Sequence, residues 1–311
     1  MRLIFMGTPA VAVPCLEALL QAGHQVVGVY CPPDRPTGRH GRPEPPPVKV
    51  SALSLGLPVF QPASLRRPRV FEILAGLKPE AIVVAAYGKF LPENALALPP
   101  LGCLNLHPSL LPRHRGPAPV MTALLEGDAV SGVSILLLDQ GMDTGPILAQ
   151  QEEPILSHDT TASLTERLFR RGAELLIATL ARWAAGAITP RPQDEGQATV
   201  THLVRKEDGW VSWDRSALSI SRMVRAYSPW PGASTRWQGQ GLKLLEVEPH
   251  ADVVPQGETG TAQAWGVDGV AVATGEGLLE LRRLQLEGKR PLPTTEFLRG
   301  ARGFVGARLP S

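Results

Sequence analysis

The sequence predicts an α/β protein in which a doubly wound, mostly parallel sheet is followed by a small antiparallel β-barrel. In the first half, short and continuously apolar strands alternate with helices, as in a parallel sheet covered on both faces. The last third instead contains short strands separated by glycine turns. A small barrel of about five such strands is OB-like.

The elements of the first half follow from their hydrophobic patterns. Strands are predicted at 2–6, 24–31, 79–87, 101–107 and 131–139, and helices at 9–23, at 69–77 and over about 22 residues from Thr161. The long helix carries its leucines on one stripe, which indicates that this stripe packs against the sheet.

A length of 311 residues suits two domains. We expect an N-terminal domain of residues 1–189 and a C-terminal domain of residues 207–311, with a predicted helix at 216–227. Residues 190–206 are rich in proline, glycine and small polar residues without periodicity, so we expect an extended linker there.

Composition excludes several classes of protein. No run reaches the roughly 18 apolar residues of a membrane span, and the apolar N-terminus is interrupted by Gly7, Pro9 and Glu17, which favours a first strand and helix over a signal peptide. Three cysteines without C-x-x-C spacing predict neither disulfides nor a zinc site, and they favour a reducing cytoplasm. With a net charge of +2, only a local basic patch could bind nucleic acid.

Two polar side chains interrupt the strand at 101–107. Asn105 is one of only two asparagines in the chain, and His107 follows it at the i+2 position, so both side chains lie on the same face of the strand. Burying either group without a partner would cost about 1–3 kcal/mol. This pattern indicates a functional use, although strand-end Asn and His can also be structural residues with satisfied hydrogen bonds.

A third polar group follows the strand at 131–139, where a glycine-bracketed turn contains Asp143. Open α/β sheets bind ligands outside the carboxyl ends of their strands, so we expect Asp143 to meet Asn105 and His107 there. An amide and an imidazole can stabilise an oxyanion, and a carboxylate can orient the imidazole. The sequence lacks a G-x-S-x-G elbow, which favours direct transfer between two bound substrates over a covalent enzyme intermediate.

The run NLHPSLLPRHRGPAPV followed by GVSILLLDQGMDTGPI resembles the folate-dependent formyltransferase family, because it joins N-x-H-x-S-L-L-P to D-x-G at a characteristic distance. The resemblance implies a Rossmann-like formyltransferase domain and 10-formyltetrahydrofolate as the formyl donor, with no metal. It implies that the catalytic residues are Asn105, His107 and Asp143, and that the folate-binding residues are Ser109, Leu110, Leu111 and Pro112.

Within this family the chain is most similar to the members that act on methionyl-tRNA. The similarity includes MGTP after the first strand, PDRPTGR at 33–39, AYGKFLP at 86–92 and PWPGA at 229–233. It implies formylation of the free α-amino group of initiator Met-tRNA for translation initiation, with contact to the tRNA acceptor stem.

Residues 31–50 form an insertion far longer than a strand-to-helix loop needs, and it places basic residues among prolines. Such a loop can reach a phosphate backbone, although on composition alone it is a proline-stiffened surface loop. The resemblance implies that this insertion contacts the acceptor stem, with Arg39 at the central position. The tRNA-binding residues predicted in this insertion are Arg35, Arg39, Arg42 and Lys49, and Lys206 at the end of the linker is a further candidate.

Other functions use the same residues. A formyltransferase acting on an amino sugar nucleotide shares the catalytic core, and the 31–50 insertion argues against it. A hydrolase releasing formate would use the same three groups on water, and a non-catalytic tRNA-binding protein would not need them. We expect a cytoplasmic monomer that binds no membrane.

Overall fold

The structure is a computed structural model, and it describes residues 1–37 and 41–310. The strands are β1 (Arg2–Gly7), β2 (Gln25–Tyr30), β3 (Arg35–Thr37), β4 (Arg42–Glu44), β5 (Val59–Phe60), β6 (Ala81–Ala85), β7 (Cys103–His107), β8 (Val130–Leu137), β9 (Ile147–Pro154), β10 (Ala233–Trp237), β11 (Gln240–His250), β12 (Ala262–Trp265), β13 (Gly269–Ala273), β14 (Leu278–Leu286) and β15 (Leu292–Pro293). The α-helices are α1 (Val13–Gln21), α2 (Pro47–Ser54), α3 (Pro68–Gly76), α4 (Glu93–Leu96), α5 (Pro119–Glu126), α6 (Thr161–Ala184), α7 (Ala217–Ala226) and α8 (Thr294–Gly300). Short 3₁₀ helices lie at Ala10–Ala12, Glu195–Gln197 and Lys206–Gly209.

The chain separates into two compact units. One unit consists of Met1–Pro119, Val130–Pro154 and Thr165–Thr201, and the other consists of Val120–Ala129, Ile155–Leu164 and His202–Ser311. In the described residues, no helix is both long and apolar enough to cross a membrane.

The first unit contains a seven-stranded sheet with the order β5-β2-β1-β6-β7-β8-β9. The pairs from β5 to β7 are parallel, whereas β8 runs antiparallel to both β7 and β9. The predicted mostly parallel, Rossmann-like sheet is therefore confirmed. Strands β1 and β6 are almost wholly buried, which explains why their sequences are continuously apolar.

Helix α6 packs closely on this sheet. A Cβ at Gly172 would lie 2.6 Å from Leu106 Cδ1 and 3.0 Å from Val133 Cγ1, so the helix approaches β7 and β8 more closely than any larger residue would allow. This contact covers the face of β7 that carries Leu106. Asn105 and His107 project from the opposite face.

The second unit contains a six-stranded antiparallel sheet with the order β10-β11-β14-β13-β12, in which β15 pairs with β14. Four of the five leucines of β14 and both alanines of β13 are buried, and Trp237, Phe297 and Phe304 pack edge to face at centroid distances of 5.1–5.8 Å. The predicted antiparallel C-terminal domain is confirmed. Among the described residues, no strand pairing joins β12 to β10, so the sheet is open where a closed OB-like barrel was expected.

The insertion at 31–50 is more ordered than a loop. Strands β3 and β4 pair as an antiparallel hairpin, and α2 begins at Pro47. Proline is well suited to the first position of a helix because its missing N–H would have no helical partner there. The segment therefore contains a hairpin and the start of a helix where a loop was expected, and Lys49 lies on the helix.

Candidate active site

Asn105 and His107 both lie on β7, at the positions that the sequence pattern predicts. His107 is 4% exposed, whereas Asn105 is half-buried. Their neighbours Leu104 and Leu106 are buried on the other face, so the strand is anchored by apolar packing while its polar side chains reach the site. Asn105 is therefore the more accessible of the two polar groups.

Asp143 joins these two side chains through its carboxylate. Its Oδ1 accepts a hydrogen bond from Asn105 Nδ2 at 3.2 Å, and its Oδ2 accepts one from the Gly116 backbone N–H at 2.9 Å. The same Oδ2 lies 3.4 Å from His107 Nδ1, and the Asp143 side chain is only 13% exposed. The structure thus brings together the three residues that the sequence predicts to be catalytic.

The second ring nitrogen of His107 faces a backbone carbonyl. Nε2 lies 2.9 Å from the oxygen of His114, which can only accept a hydrogen bond, so Nε2 carries a proton. With a carboxylate at Nδ1 and a carbonyl at Nε2, both ring nitrogens face hydrogen-bond acceptors. The Asn105 amide has two N–H groups and gives one to Asp143, which leaves the other for a ligand.

The chain brings Asp143 to Asn105 and His107 by a path that differs from the predicted one. Because β8 is antiparallel to β7, its carboxyl end at Leu137 lies opposite Leu104, at the start of β7. The expectation that two carboxyl ends meet was wrong. The 138–146 loop instead doubles back, and Asp143 adopts a left-handed backbone conformation with φ of 57°. A Cβ at Gly145 would lie 1.8 Å from the Leu137 carbonyl oxygen, so the turn requires glycine there.

The predicted folate-binding segment, Ser109 to Pro112, is fixed from inside the sheet by Ser134. The Ser134 hydroxyl donates to the Ser109 carbonyl at 2.7 Å, and it accepts from the Leu111 N–H at 3.1 Å and from Gln150 Nε2 at 2.9 Å. Gln150 also donates to the Leu111 carbonyl at 2.8 Å. Two polar side chains on β8 and β9 thus set the backbone of this segment, which leaves Leu110 and Pro112 half-exposed.

The three cysteines are buried, and their environment disfavours the thiolate form. Desolvation raises the pKa of Cys15 to about 12, of Cys31 to about 11 and of Cys103 to about 12. These thiols are therefore protonated near neutral pH and make poor nucleophiles. This agrees with the expectation of direct transfer between two substrates.

The predicted tRNA-binding residues are dispersed. Arg35 is exposed on β3, Arg42 lies on β4 and Lys206 is exposed in a 3₁₀ helix, whereas Arg39 falls outside the described residues. Lys49 forms an ion pair with Asp34, in which its ammonium lies 2.8 Å from both carboxylate oxygens. Asp34 also accepts a hydrogen bond from Gln61 Nε2 at 2.7 Å. The hydrogen bond from Gln61 lowers the pKa of Asp34, and so do the hydrogen bond and the positive charge of Lys49.

Sequence reasoning missed a second group of residues, which lies behind Asn105, His107 and Asp143. Arg115, Gln193 and Glu195 form a hydrogen-bonded chain that ends on the backbone of the Asp143 turn. Arg115 and Glu195 are 80 positions apart and carry no periodic signal, so no local pattern could have paired them. The N-x-H-x-S-L-L-P motif offered one indirect signal, because Arg115 is the third residue after it.

Comparison with known proteins identifies two matching family models. The model described as formyl transferase matches residues 1–180, and the model described as formyl transferase, C-terminal domain, matches residues 203–302. The chain is 49% identical to the methionyl-tRNA formyltransferase of Roseiflexus castenholzii, over 99% of each protein.

Solved structures share the fold at lower identity. An N-formyltransferase from Helicobacter canadensis in complex with folinic acid and dTDP-3-aminofucose superposes with a TM-score of 0.66 at 17% identity, over 90% of this chain and 97% of that one. HypX from Aquifex aeolicus in complex with tetrahydrofolic acid gives a TM-score of 0.63 at 19% identity, over 99% of this chain and 48% of that one. At these identities the likeness is one of fold.

Ser134 and Ser131 allow a matched test of the inner hydrogen bonds. Both hydroxyls are buried on β8, but Ser131 Oγ has no hydrogen-bond partner among the described residues. We expect Ser134→Ala to lower the free energy of unfolding by about 1–3 kcal/mol, because it leaves the buried Leu111 N–H unpaired, and Ser131→Ala to change it little. Urea unfolding measures both, and equal losses in the two variants would contradict this account.

Proposed function

The chain belongs to the formyl transferase family, and on that premise we propose that it transfers the formyl group of 10-formyltetrahydrofolate to the α-amino group of methionyl initiator tRNA. The observation that carries the proposal is the convergence of Asn105, His107 and Asp143 beside the segment from Ser109 to Pro112. The full-length similarity to a methionyl-tRNA formyltransferase supports the choice of acceptor. As an enzyme of translation initiation, it acts in the cytoplasm as a monomer.

The two domains divide the work. The domain at 1–189 holds the folate, with Ser109, Leu110, Leu111 and Pro112 lining its site next to the catalytic cluster. The linker at 190–206 leads to the domain at 207–311, which binds tRNA together with the basic hairpin. Arg35, Arg39, Arg42 and Lys206 contact phosphates of the acceptor stem, since basic side chains supply the salt-dependent part of nucleic-acid binding.

In the reaction, the methionyl amine attacks the formyl carbon, the carbonyl electrons move to oxygen, and the bond to the N10 nitrogen of folate then breaks. The remaining N–H of Asn105 donates to the developing oxyanion, and the His107 imidazolium supplies positive charge beside it. For His107 to donate a hydrogen bond directly to the oxyanion, its Nε2–H must leave the His114 carbonyl and turn to the substrate. Asp143 holds both groups and assists the proton that passes from the amine to the leaving nitrogen. The chemistry requires no metal.

An assay of acceptors tests the proposed function. Labelled 10-formyltetrahydrofolate is incubated with the protein and charged initiator Met-tRNA, and in parallel with uncharged tRNA, an amino sugar nucleotide or no acceptor. We expect label only on the charged tRNA. Labelled sugar nucleotide would assign a different acceptor, and formate released at the same rate without any acceptor would assign a hydrolase.

The catalytic roles are tested by truncating the two strand residues. We expect Asn105→Ala and His107→Ala each to lower kcat about 100-fold or more, because each removes a group that stabilises the transition state. Asn94→Ala is the matched control, since Asn94 is the other asparagine and is exposed at the start of α4. Wild-type turnover in the strand variants would refute the assignment.

Lys49 can serve tRNA binding in two ways, and Asp34 distinguishes them. If Lys49 anchors the hairpin through Asp34, Lys49→Met and Asp34→Asn both raise KM for Met-tRNA, and the double variant is no worse than either one. This is the outcome we expect, because both Asp34 oxygens are engaged at 2.8 Å. If Lys49 instead contacts phosphate directly, Asp34→Asn releases it and lowers KM, and Lys49→Met reduces the salt slope of tRNA binding by about 1.

A further inference from the structure

Residues 191–201, here termed the strap, run along the catalytic loops of the first unit. At one end, Arg191 exchanges backbone hydrogen bonds of 2.8 and 2.9 Å with Ile147, the first residue of β9. At the other end, the Arg115 N–H donates to Thr199 at 2.9 Å and the Thr201 N–H donates to Arg115 at 2.8 Å. The strap is thus paired at one end with Ile147, which follows the Asp143 turn in sequence, and at the other end with Arg115, whose neighbour Gly116 donates to the Asp143 carboxylate.

Gln193 is the third residue of the strap, and both polar atoms of its side-chain amide form hydrogen bonds at the site. Its Nε2 donates to the backbone carbonyls of Asp143 and Gly145, at 2.7 Å each, and its Oε1 accepts from Arg115 Nε at 3.0 Å. The two carbonyls belong to the turn whose left-handed residue presents the catalytic carboxylate. The left-handed conformation is disfavoured in residues other than glycine, although less in Asp than in most, so contacts from outside the turn help to hold it.

Arg115 fixes Gln193 from the other side. Its side chain is 5% exposed, and its terminal nitrogens donate to the two oxygens of Glu195 at 2.9 and 2.7 Å. The hydrogen bonds to Glu195 raise the pKa of Arg115. This two-point pairing fixes the plane of the guanidinium and therefore the direction in which Nε points.

We propose that Gln193, oriented by Arg115 and Glu195, is a positioning residue that holds Asp143 in its catalytic conformation and thereby sets the turnover of formyl transfer. The proposal rests on the function proposed above. Gln193 donates to the backbone of the turn and has no bond to the carboxylate, so it acts through Asp143. A displacement of about 1 Å in a catalytic group can cost about 100-fold in rate.

The test compares Gln193→Met with Gln197→Met. Methionine keeps the length of the side chain and removes its hydrogen bonds, and Gln197 lies on the same strap but donates only to Asp194, at 2.7 Å. We expect Gln193→Met to lower kcat about 10- to 100-fold while the KM values for both substrates change less than about twofold. Gln197→Met keeps wild-type kinetics. Unchanged kcat in Gln193→Met, or an equal loss in both variants, overturns the proposal.

A double-variant cycle separates positioning from general destabilisation. If Gln193 acts through Asp143, adding Gln193→Met to Asp143→Asn lowers kcat no further, whereas independent effects multiply. Glu195→Ala provides a milder variant, because it frees the Arg115 guanidinium without touching the turn. We expect a smaller loss of kcat in the same direction, and full activity in this variant together with multiplying effects in the cycle would overturn the proposal.

Hydrogen exchange supplies a readout that does not depend on the acceptor. The Gly116 N–H donates to the Asp143 carboxylate at 2.9 Å, so its exchange rate reports whether the carboxylate is in place. We expect faster exchange at Gly116 in Gln193→Met and wild-type exchange in Gln197→Met. Unchanged exchange in both refutes the positioning role. A wild-type protein that fails to formylate Met-tRNA while Gln193→Met still accelerates this exchange would refute the proposed function and retain the contact.

Discussion

The Asp143 carboxylate is the interaction on which the site depends. Asn105, His107 and the Gly116 N–H all converge on its two oxygens, although they belong to a strand and to the loop that follows it. Removing the carboxylate would leave a buried imidazole and a half-buried amide without the acceptor that orients them, and unpaired buried polar groups are costly. The close approach of Gly145 to Leu137 and the backbone conformation of Asp143 follow from the need to bring this one carboxylate back over the sheet.

The sequence predicted the residues of the site better than the path that brings them together. Asn105 and His107 share a face because strand side chains alternate, which is a local property. The direction of β8 is not local: a continuously apolar strand covered on both faces reads the same whether its neighbour is parallel or antiparallel. The argument from carboxyl ends therefore reached Asp143 by a route that the structure contradicts, whereas the resemblance to a known family pointed to the same residue without that route.

The segments without periodicity were the least predictable. Prolines in the 31–50 insertion suggested an irregular loop, yet a hairpin and the first turn of α2 form there, and Lys49 is held by Asp34 and by the helix. The linker was expected to be merely extended, and its residues 191–201 are paired with Ile147 and Arg115, which are far away in sequence. Both cases depend on partners at long sequence separation, and no hydrophobic pattern encodes such partners.

The burial of Arg115 is informative because it is energetically unnecessary. Taking a guanidinium out of water costs several kcal/mol, and a buried ion pair is often no more stabilising than apolar side chains of similar volume. Here the partner carboxylate, Glu195, is 72% exposed, which weakens the compensating attraction further. Stability therefore gives little reason to place a cation at this position. The geometry of the site explains the position of this cation. Because Glu195 binds two nitrogens of the planar guanidinium, the remaining Nε–H of Arg115 points toward Gln193. Gln193 in turn donates hydrogen bonds to carbonyls of the Asp143 turn.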